Sequence, residues 1–478
     1  MRNANGSGHE QCRQTDGPGK DEVNRMNDFR KTAQEMLEFI RISPTCFHAV
    51  ANIGRMLEAA GFQQLQEKEE WKLEKGGRYY TERNDSSVIA FAIPEKEVGI
   101  RGFHMAAAHS DSPCFKIKEK PELTVEEHYL RLNTEKYGGM ILSTWLDRPL
   151  SIAGRLAVKN GNGIDGRLVN IDRDLCVIPN VAIHMNREMN KGVEYNPQVD
   201  LLPLLADVSF DEYDTHTTYD AQNASENAEE QPETVEKPTL AALAAEAAGV
   251  DAETILGEDL FLYTRQEGKM IGAKGEFVLS PRLDDLQSAF ALTKAFTEST
   301  PAEYINLCAV FDNEEVGSGT RQGADSTFLE DTLQRITEGL QEGHSTYLRW
   351  VADSFLISAD NAHAVHPNHP EKADPANRPY LNGGIVIKYH GSQKYTTDGI
   401  SAAKMKDYCE RAKVPYQTYA NRSDIAGGST LGNISTAHVS VSSVDIGLPQ
   451  LAMHSAVETA GMKDTEYAVQ ALKEFWGE

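Results

Sequence analysis

Tyr304-Ile305-Asn306-Leu307-Cys308-Ala309-Val310-Phe311, followed at once by Asp312-Asn313-Glu314-Glu315-Val316-Gly317-Ser318, is an apolar run rich in β-formers that ends in acids, Gly and Ser. Such a run predicts a buried parallel strand delivering carboxylates to its C-terminal edge. Open α/β sheets keep their chemistry at that edge. Two adjacent glutamates there have a specific use beside a metal ion: one ligates it, and the other stays free to take a proton from metal-bound water. A lone Glu-Glu pair is more often a solvated acidic turn, so its meaning depends on what else the chain supplies.

The 478 residues suffice for a large core and two domains. Lys and Arg number 47 against 72 Asp and Glu, and the net charge of −25 argues against nucleic acid or an anionic membrane as partner. No run of about 18 apolar residues occurs, and residues 1–22 are polar without the apolar centre of a signal peptide. A cytoplasmic protein is therefore expected. Six cysteines (Cys12, Cys46, Cys114, Cys176, Cys308, Cys409) are scattered singly, without metal-type spacing, and read as reduced thiols.

Residues 1–24, rich in Gly, Asn, Gln and Asp, are expected to form a disordered tail, and His9 and Cys12 in it are not taken as ligands. From Asp28 the pattern is helical, with Phe29, Ala33, Met36, Leu37 and Ile40 at three- and four-residue spacing. Ser43-Pro44-Thr45 breaks it and opens a second helix, which Gly61 ends; His48 beside its apolar stripe reads as a structural histidine. Strands follow at 88–93 and 100–108. The second ends in His109-Ser110-Asp111, where an aspartate two residues on is placed to accept the free ring N–H of a metal-bound histidine.

Residues 25–115 thus start a catalytic domain. Short alternating runs and Gly-rich turns over 116–250 predict an inserted β-rich domain, with an acidic flexible loop at 207–238. Catalytic texture resumes over 251–478. Asp284 and Asp285 stand just before a helix carrying Leu286, Phe290, Leu292 and Phe296; Asp285 is read as its N-cap and Asp284 as placed to bridge two cations. A strand at 354–358 runs into Asp360, His363 and His366, and further strands are expected at 384–389, 415–420 and 439–444. His454 precedes the last helices.

Five strand or helix ends therefore offer His109, Asp284, Glu315, Asp360 and His454, with Glu314 left over. Two zinc ions would be offset by three carboxylates and one hydroxide, with two neutral imidazoles completing the shells. Mixed nitrogen and oxygen ligands suit zinc, with cobalt or manganese as substitutes.

The segments AAAHSDSPC (106–114), SPRLDDL (280–286), FDNEEVGS (311–318), SADNAHAVHPN (358–368) and LAMHSAVE (451–458) resemble, in order and spacing, those of the aspartyl aminopeptidase family of dinuclear zinc exopeptidases. SPTCFHAV (43–50) and YGGMILSTWLDRPLSIAGR (137–155) are similar to that family too. The resemblance implies that His109 and Asp360 hold one zinc and Glu315 and His454 the other, with Asp284 bridging, Glu314 as general base and Asp111 orienting His109. It implies a phosphorylase/hydrolase-like α/β catalytic domain, an inserted β-rich dimerisation domain, and dimers assembled into a tetrahedral dodecamer. It also implies peptide substrates cleaved at the N-terminal bond. His363 resembles a histidine near the substrate, and His184 one that reaches a neighbouring subunit's site. Lys388 resembles a lysine that pairs with an acidic P1 side chain; read from the sequence alone, it is also compatible with a surface lysine at a strand end. For His366 a strand-end hydrogen bond is an equal reading. The 422–432 loop is closer to the bacterial branch, where neutral P1 residues stay open. A dinuclear deacylase or carboxypeptidase acting on another amide is the enzymatic alternative, and a metal-dead oligomeric scaffold the non-enzymatic one.

Overall fold

A computed structural model of the chain describes residues 20–95, 99–208, 239–425, 427–428 and 430–478. His9, Cys12 and nearly all of the acidic 207–238 segment lie outside the described residues. The first helix is Lys20–Arg41, which starts inside the stretch expected to be tail.

The fold is mixed α/β with three sheets among the described residues. The largest has nine strands, and its centre runs Ser87–Ala92, Ile305–Phe311, Phe103–His109, Phe355–Ala359 and Ser442–Gly447. All seven residues of Ile305–Phe311 are buried, because successive side chains point to opposite faces and both faces are covered. Cys308 and Val310 join Ala106, Ala108 and Ile357 beneath the helices Cys46–Ala59, Leu283–Thr297 and Asp464–Trp476. Leu307, Ala309 and Phe311 join Met105, Ala107 and Leu356 on the other face, beneath Phe328–Gly339 and His344–Ala352. Each fully buried Leu, Val or Phe contributes roughly 1.5–3 kcal/mol of transfer free energy, so this two-sided strand is a major anchor of the fold.

Register then sets the chemistry. Ile305–Phe311 pairs in parallel with Phe103–His109, with Phe311 opposite His109. Phe355–Ala359 pairs in parallel on the other side of the Phe103–His109 strand, with Ser358 opposite Ala107. Three neighbouring strands therefore end on one edge and present His109, the Glu314-Glu315 turn and Asp360 side by side. A five-stranded sheet adjoins them, made of Lys269–Ile271, Phe277–Ser280, Glu458–Gly461, Pro449–Leu451 and Ala362–His363. Asp284 follows one of its strands, and His454 lies between two others.

The remaining six-stranded sheet is antiparallel and spans Cys114 to Thr264 in sequence, with its own core of Phe115, Leu132, Trp145, Ile152, Leu156, Leu260 and Leu262. Ile255–Thr264, expected to belong to the second catalytic segment, lies inside this sheet between Leu150–Asn160 and Cys114–Val125. Its pairing partners are more than 90 residues away, which no local pattern encodes. The two strands approach closely at Gly154, where an added Cβ would lie 1.9 Å from the Asp259 carbonyl oxygen. No helix among the described residues is long and apolar enough to cross a membrane.

Candidate active site

His109 closes its strand with 1% of its side chain exposed, and Asp284 is 3% exposed. His109 Nε2 lies 3.5 Å from Asp284 Oδ1 and 3.9 Å from Asp360 Oδ1. His454 Nε2 lies 3.4 Å from Asp284 Oδ2 and 3.5 Å from Glu315 Oε2. The Asp284 carboxylate thus turns one oxygen to each histidine, with Asp360 on one side and Glu315 on the other. Ligand atoms of His109, Asp284, Asp285 and Asp360, and those of Asp284, Glu315 and His454, come within 4.8 Å of one another in two overlapping groups; Glu314 joins a third with His109 and Glu315.

Both histidines are tethered through the opposite ring nitrogen. His109 Nδ1 is 3.1 Å from the Asp111 carbonyl and 3.3 Å from Asp111 Oδ1, and His454 Nδ1 is 2.8 Å from the Gly139 carbonyl. A main-chain carbonyl accepts only, so Nδ1 carries a proton in both rings and Nε2 is the nitrogen turned to the carboxylates, the one a metal ion would take in place of a proton. Asp284 Oδ1 and Glu315 Oε1 are buried with no hydrogen-bond partner. Carboxylates converging on one another, with orphaned buried oxygens, fit a cation between them, and this mixture of imidazole and carboxylate suits zinc.

Asp111 organises the glutamates as well as His109. Its Oδ1 accepts the Glu314 N–H and its Oδ2 the Glu315 N–H, each at 3.2 Å, and Tyr137 donates its hydroxyl to Oδ2 at 2.7 Å. Asn313, in the left-handed region at φ 62°, donates its side-chain amide to Tyr137 Oη at 2.8 Å. Gly138 passes so close that a Cβ there would sit 3.1 Å from the Glu315 Cβ, at φ +79°. Burial pushes the Glu314 carboxyl up to about 7; the charge of His109 opposes this, and those of Asp360 and Asp111 add to it. Burial also raises Asp284, but the neighbouring imidazoles of His109 and His454 outweigh it and hold the carboxyl below its usual range. For His454 burial works against the charged ring, while Asp284 and the charge of Glu315 push its pKa up to about 10.

The structure corrects one expectation and removes one of two readings of a second residue. Asp285 is not merely a helix cap: it is fully buried, and its Oδ2 accepts the His109 main-chain N–H at 3.3 Å. Lys388 is not a surface lysine, being 2% exposed with its ammonium 2.9 Å from Asp360 O, 3.2 Å from Asp360 Oδ2 and 3.4 Å from Asn361 O. His363 is exposed beside the cluster with its ring 6.0 Å from that of Tyr419. His366 accepts the Asn368 N–H on Nδ1 at 3.2 Å, the local bond held open for it. His184 is exposed in a turn at 183–185, within the connection that follows the six-stranded sheet's Gly163–Asn170 strand. His48 bonds the Thr45 hydroxyl through Nδ1 at 2.9 Å, as befits a structural histidine.

Sequence reasoning passed over Tyr137, Gly139 and Glu458, although all three stand inside the segments quoted above. Tyr137 and Glu458 act through a neighbour's carboxylate or backbone and Gly139 through its own carbonyl, so nothing in residue type alone marks them.

Residues 39–476 match the model of the family described as aminopeptidase I zinc metalloprotease (M18). The chain belongs to the M18 family of aminopeptidases. It is 46% identical over 448 residues to the probable M18 family aminopeptidase 2 of Clostridium novyi (strain NT), covering 93% of this chain and 98% of that one. It superimposes on a chain of the cryo-EM structure of the Ape4 and Nbr1 complex with a TM-score of 0.86 at 36% identity, covering 94% of this chain and 86% of that one. The S. cerevisiae mApe1 dodecamer gives a TM-score of 0.77 at 26% identity, covering 94% and 97%. This M18 aminopeptidase is accordingly a metallopeptidase, and among the described residues the groups around Asp284 could hold a metal ion.

Proposed function

We propose that this M18 aminopeptidase is a dinuclear zinc enzyme of the aspartyl aminopeptidase type, with His109 and Asp360 holding one ion, Glu315 and His454 the other, and Asp284 bridging. The observation that carries this assignment is the division of the Asp284 carboxylate between His109 Nε2 and His454 Nε2. When bound, the two ions supply Lewis-acid polarisation of the scissile carbonyl and lower the pKa of an attacking water. Glu314, unpaired in the ligand scheme and raised toward neutrality, is the general base that takes a proton and returns it to the leaving amine. Asp111 holds both that glutamate's backbone and the His109 ring, so it sets the distance over which the proton moves. Within the fold, the catalytic part is read as phosphorylase/hydrolase-like and the six-stranded sheet as the inserted dimerisation domain.

The substrate is a peptide with a free N-terminus. His363 at the rim meets the substrate, and His184 is the residue a second subunit would contribute, in keeping with a homo-oligomer like the dodecamer reported for mApe1. Lys388 has three protons and three protein acceptors, so an acidic P1 side chain would have to displace Asp360 or Asn361. Acidic and neutral N-terminal residues are both accepted on these grounds, with the acidic preference modest.

The test is hydrolysis of chromogenic amides of Asp, Glu, Leu and Lys, each with a free and an N-acetylated amine, before and after chelation and zinc return. Cleavage of the free-amine set alone, restored by zinc, is the expected result. Preference for the acetylated set would make the protein a deacylase, and no cleavage of either would favour a scaffold.

A further inference from the structure

Glu458 is 2% exposed, and both of its carboxylate oxygens are spent on backbone. Oε2 accepts the Asp284 N–H at 3.0 Å, 174 residues away in sequence, and Oε1 accepts the His454 N–H at 2.7 Å, 4 residues away. The charges of Arg282 and His454 act on it from nearby, but its hydrogen bonds here are to backbone. Its strand pairs with the one that leads into Asp284, with Glu458 opposite Ser280. His454 itself sits at φ 67°, a left-handed conformation that a non-glycine residue holds only when its surroundings impose it.

We infer that Glu458 is a positioning residue of the metal centre, whose two oxygens lock the Asp284 and His454 backbones together and so build the ion site on the His454 side. Its role presupposes the two-ion centre proposed above. Only a carboxylate presents two acceptors to two converging N–H groups; an amide keeps one and turns an NH2 toward the other donor. The opposite ion site depends on Glu458 only through the shared Asp284, because Asp111 tethers His109 and Lys388 tethers Asp360. Loss of Glu458 is therefore selective: the ion on the His454 side is weakened far more than the other.

The experiment is titration of the metal-free full-length protein and its E458Q variant with Co2+, followed by visible absorption and by competition with a chelator. The wild type is expected to take two Co2+ per subunit. E458Q is expected to take the first with nearly unchanged affinity and the second about 10- to 100-fold more weakly, with altered absorption for that second ion. E458D keeps the charge but shortens the reach, and is expected to show the same selective loss if E458Q does not fold. Two ions bound with wild-type affinity and spectrum in either folded variant would overturn the role of Glu458 while leaving the two-ion centre intact. Equal loss of both ions would overturn the selectivity. Failure of both variants to fold in excess Co2+ would make Glu458 a folding residue and overturn the inference. No Co2+ uptake by the wild type would overturn the two-ion centre itself.

Discussion

Lys388 buries its ammonium 3.2 Å from Asp360 Oδ2 and 2.9 Å from the Asp360 carbonyl, holding that aspartate by side chain and backbone at once. Burial alone would lower its pKa, but the charge of Asp360 and neighbouring acids holds it above the ordinary lysine value. A Lys388→Met variant is expected to lose about 10- to 100-fold in kcat/KM, in parallel for Asp and Leu substrates. Side-by-side assay of the two substrates checks this: a change in their ratio would mean that Lys388 touches the P1 side chain directly.

Glu314→Gln removes the proton carrier but none of the proposed ligands. Turnover is expected to fall by about 10²- to 10⁴-fold, with metal content by elemental analysis unchanged. Loss of metal in that variant would make Glu314 a ligand.

Tyr137→Phe deletes the hydroxyl that donates to Asp111 and accepts from Asn313. One buried hydrogen-bonded link is worth about 1–3 kcal/mol when its partners are left unsatisfied. The melting temperature should drop modestly. The larger effect should be on kcat, since Asp111 carries the Glu314 and Glu315 backbones; an unchanged kcat with a lowered melting temperature would reduce Tyr137 to a structural role.

The metal-free protein should become less stable as pH rises. Burial and the Asp284 charge push Glu458 up to about 8, burial and the Asp111 charge push Asp312 up to about 7, and Glu314 lies near 7 as well. A carboxyl raised in the folded state binds a proton that the unfolded chain releases above its ordinary value, so stability is full at low pH and declines through the folded pKa. His454, raised to about 10, acts in the same direction, its contribution lasting below 6.5 and fading toward 10. Chelated protein should therefore melt lower at about pH 8.5 than at about pH 5.5, with zinc reversing the trend because its binding displaces those protons. Calorimetry at the two values with and without zinc decides it.

Gly154→Ala places a methyl 1.9 Å from a main-chain oxygen across two paired strands. A loss of about 1–3 kcal/mol or more is expected, read as a lower melting temperature, and wild-type stability would mean that the strands separate there without cost.

Local pattern alone determined much of this protein. The apolar run 304–311 reads as a strand covered on both faces, and the acids and histidines that close such runs were legible at His109, Glu314, Glu315 and Asp360. Residue type and position within an element settle those facts, because side-chain periodicity is a property of the backbone itself. The tertiary structure alone decided which strands lie side by side, that Ile255–Thr264 belongs to the antiparallel sheet, and that Asp285 faces His109. It likewise decided that Lys388 is buried against Asp360 and that Glu458 joins the Asp284 and His454 backbones. Those relationships are hydrogen bonds between segments distant in sequence, and a hydrogen bond depends on where two groups meet, which no single stretch of chain encodes.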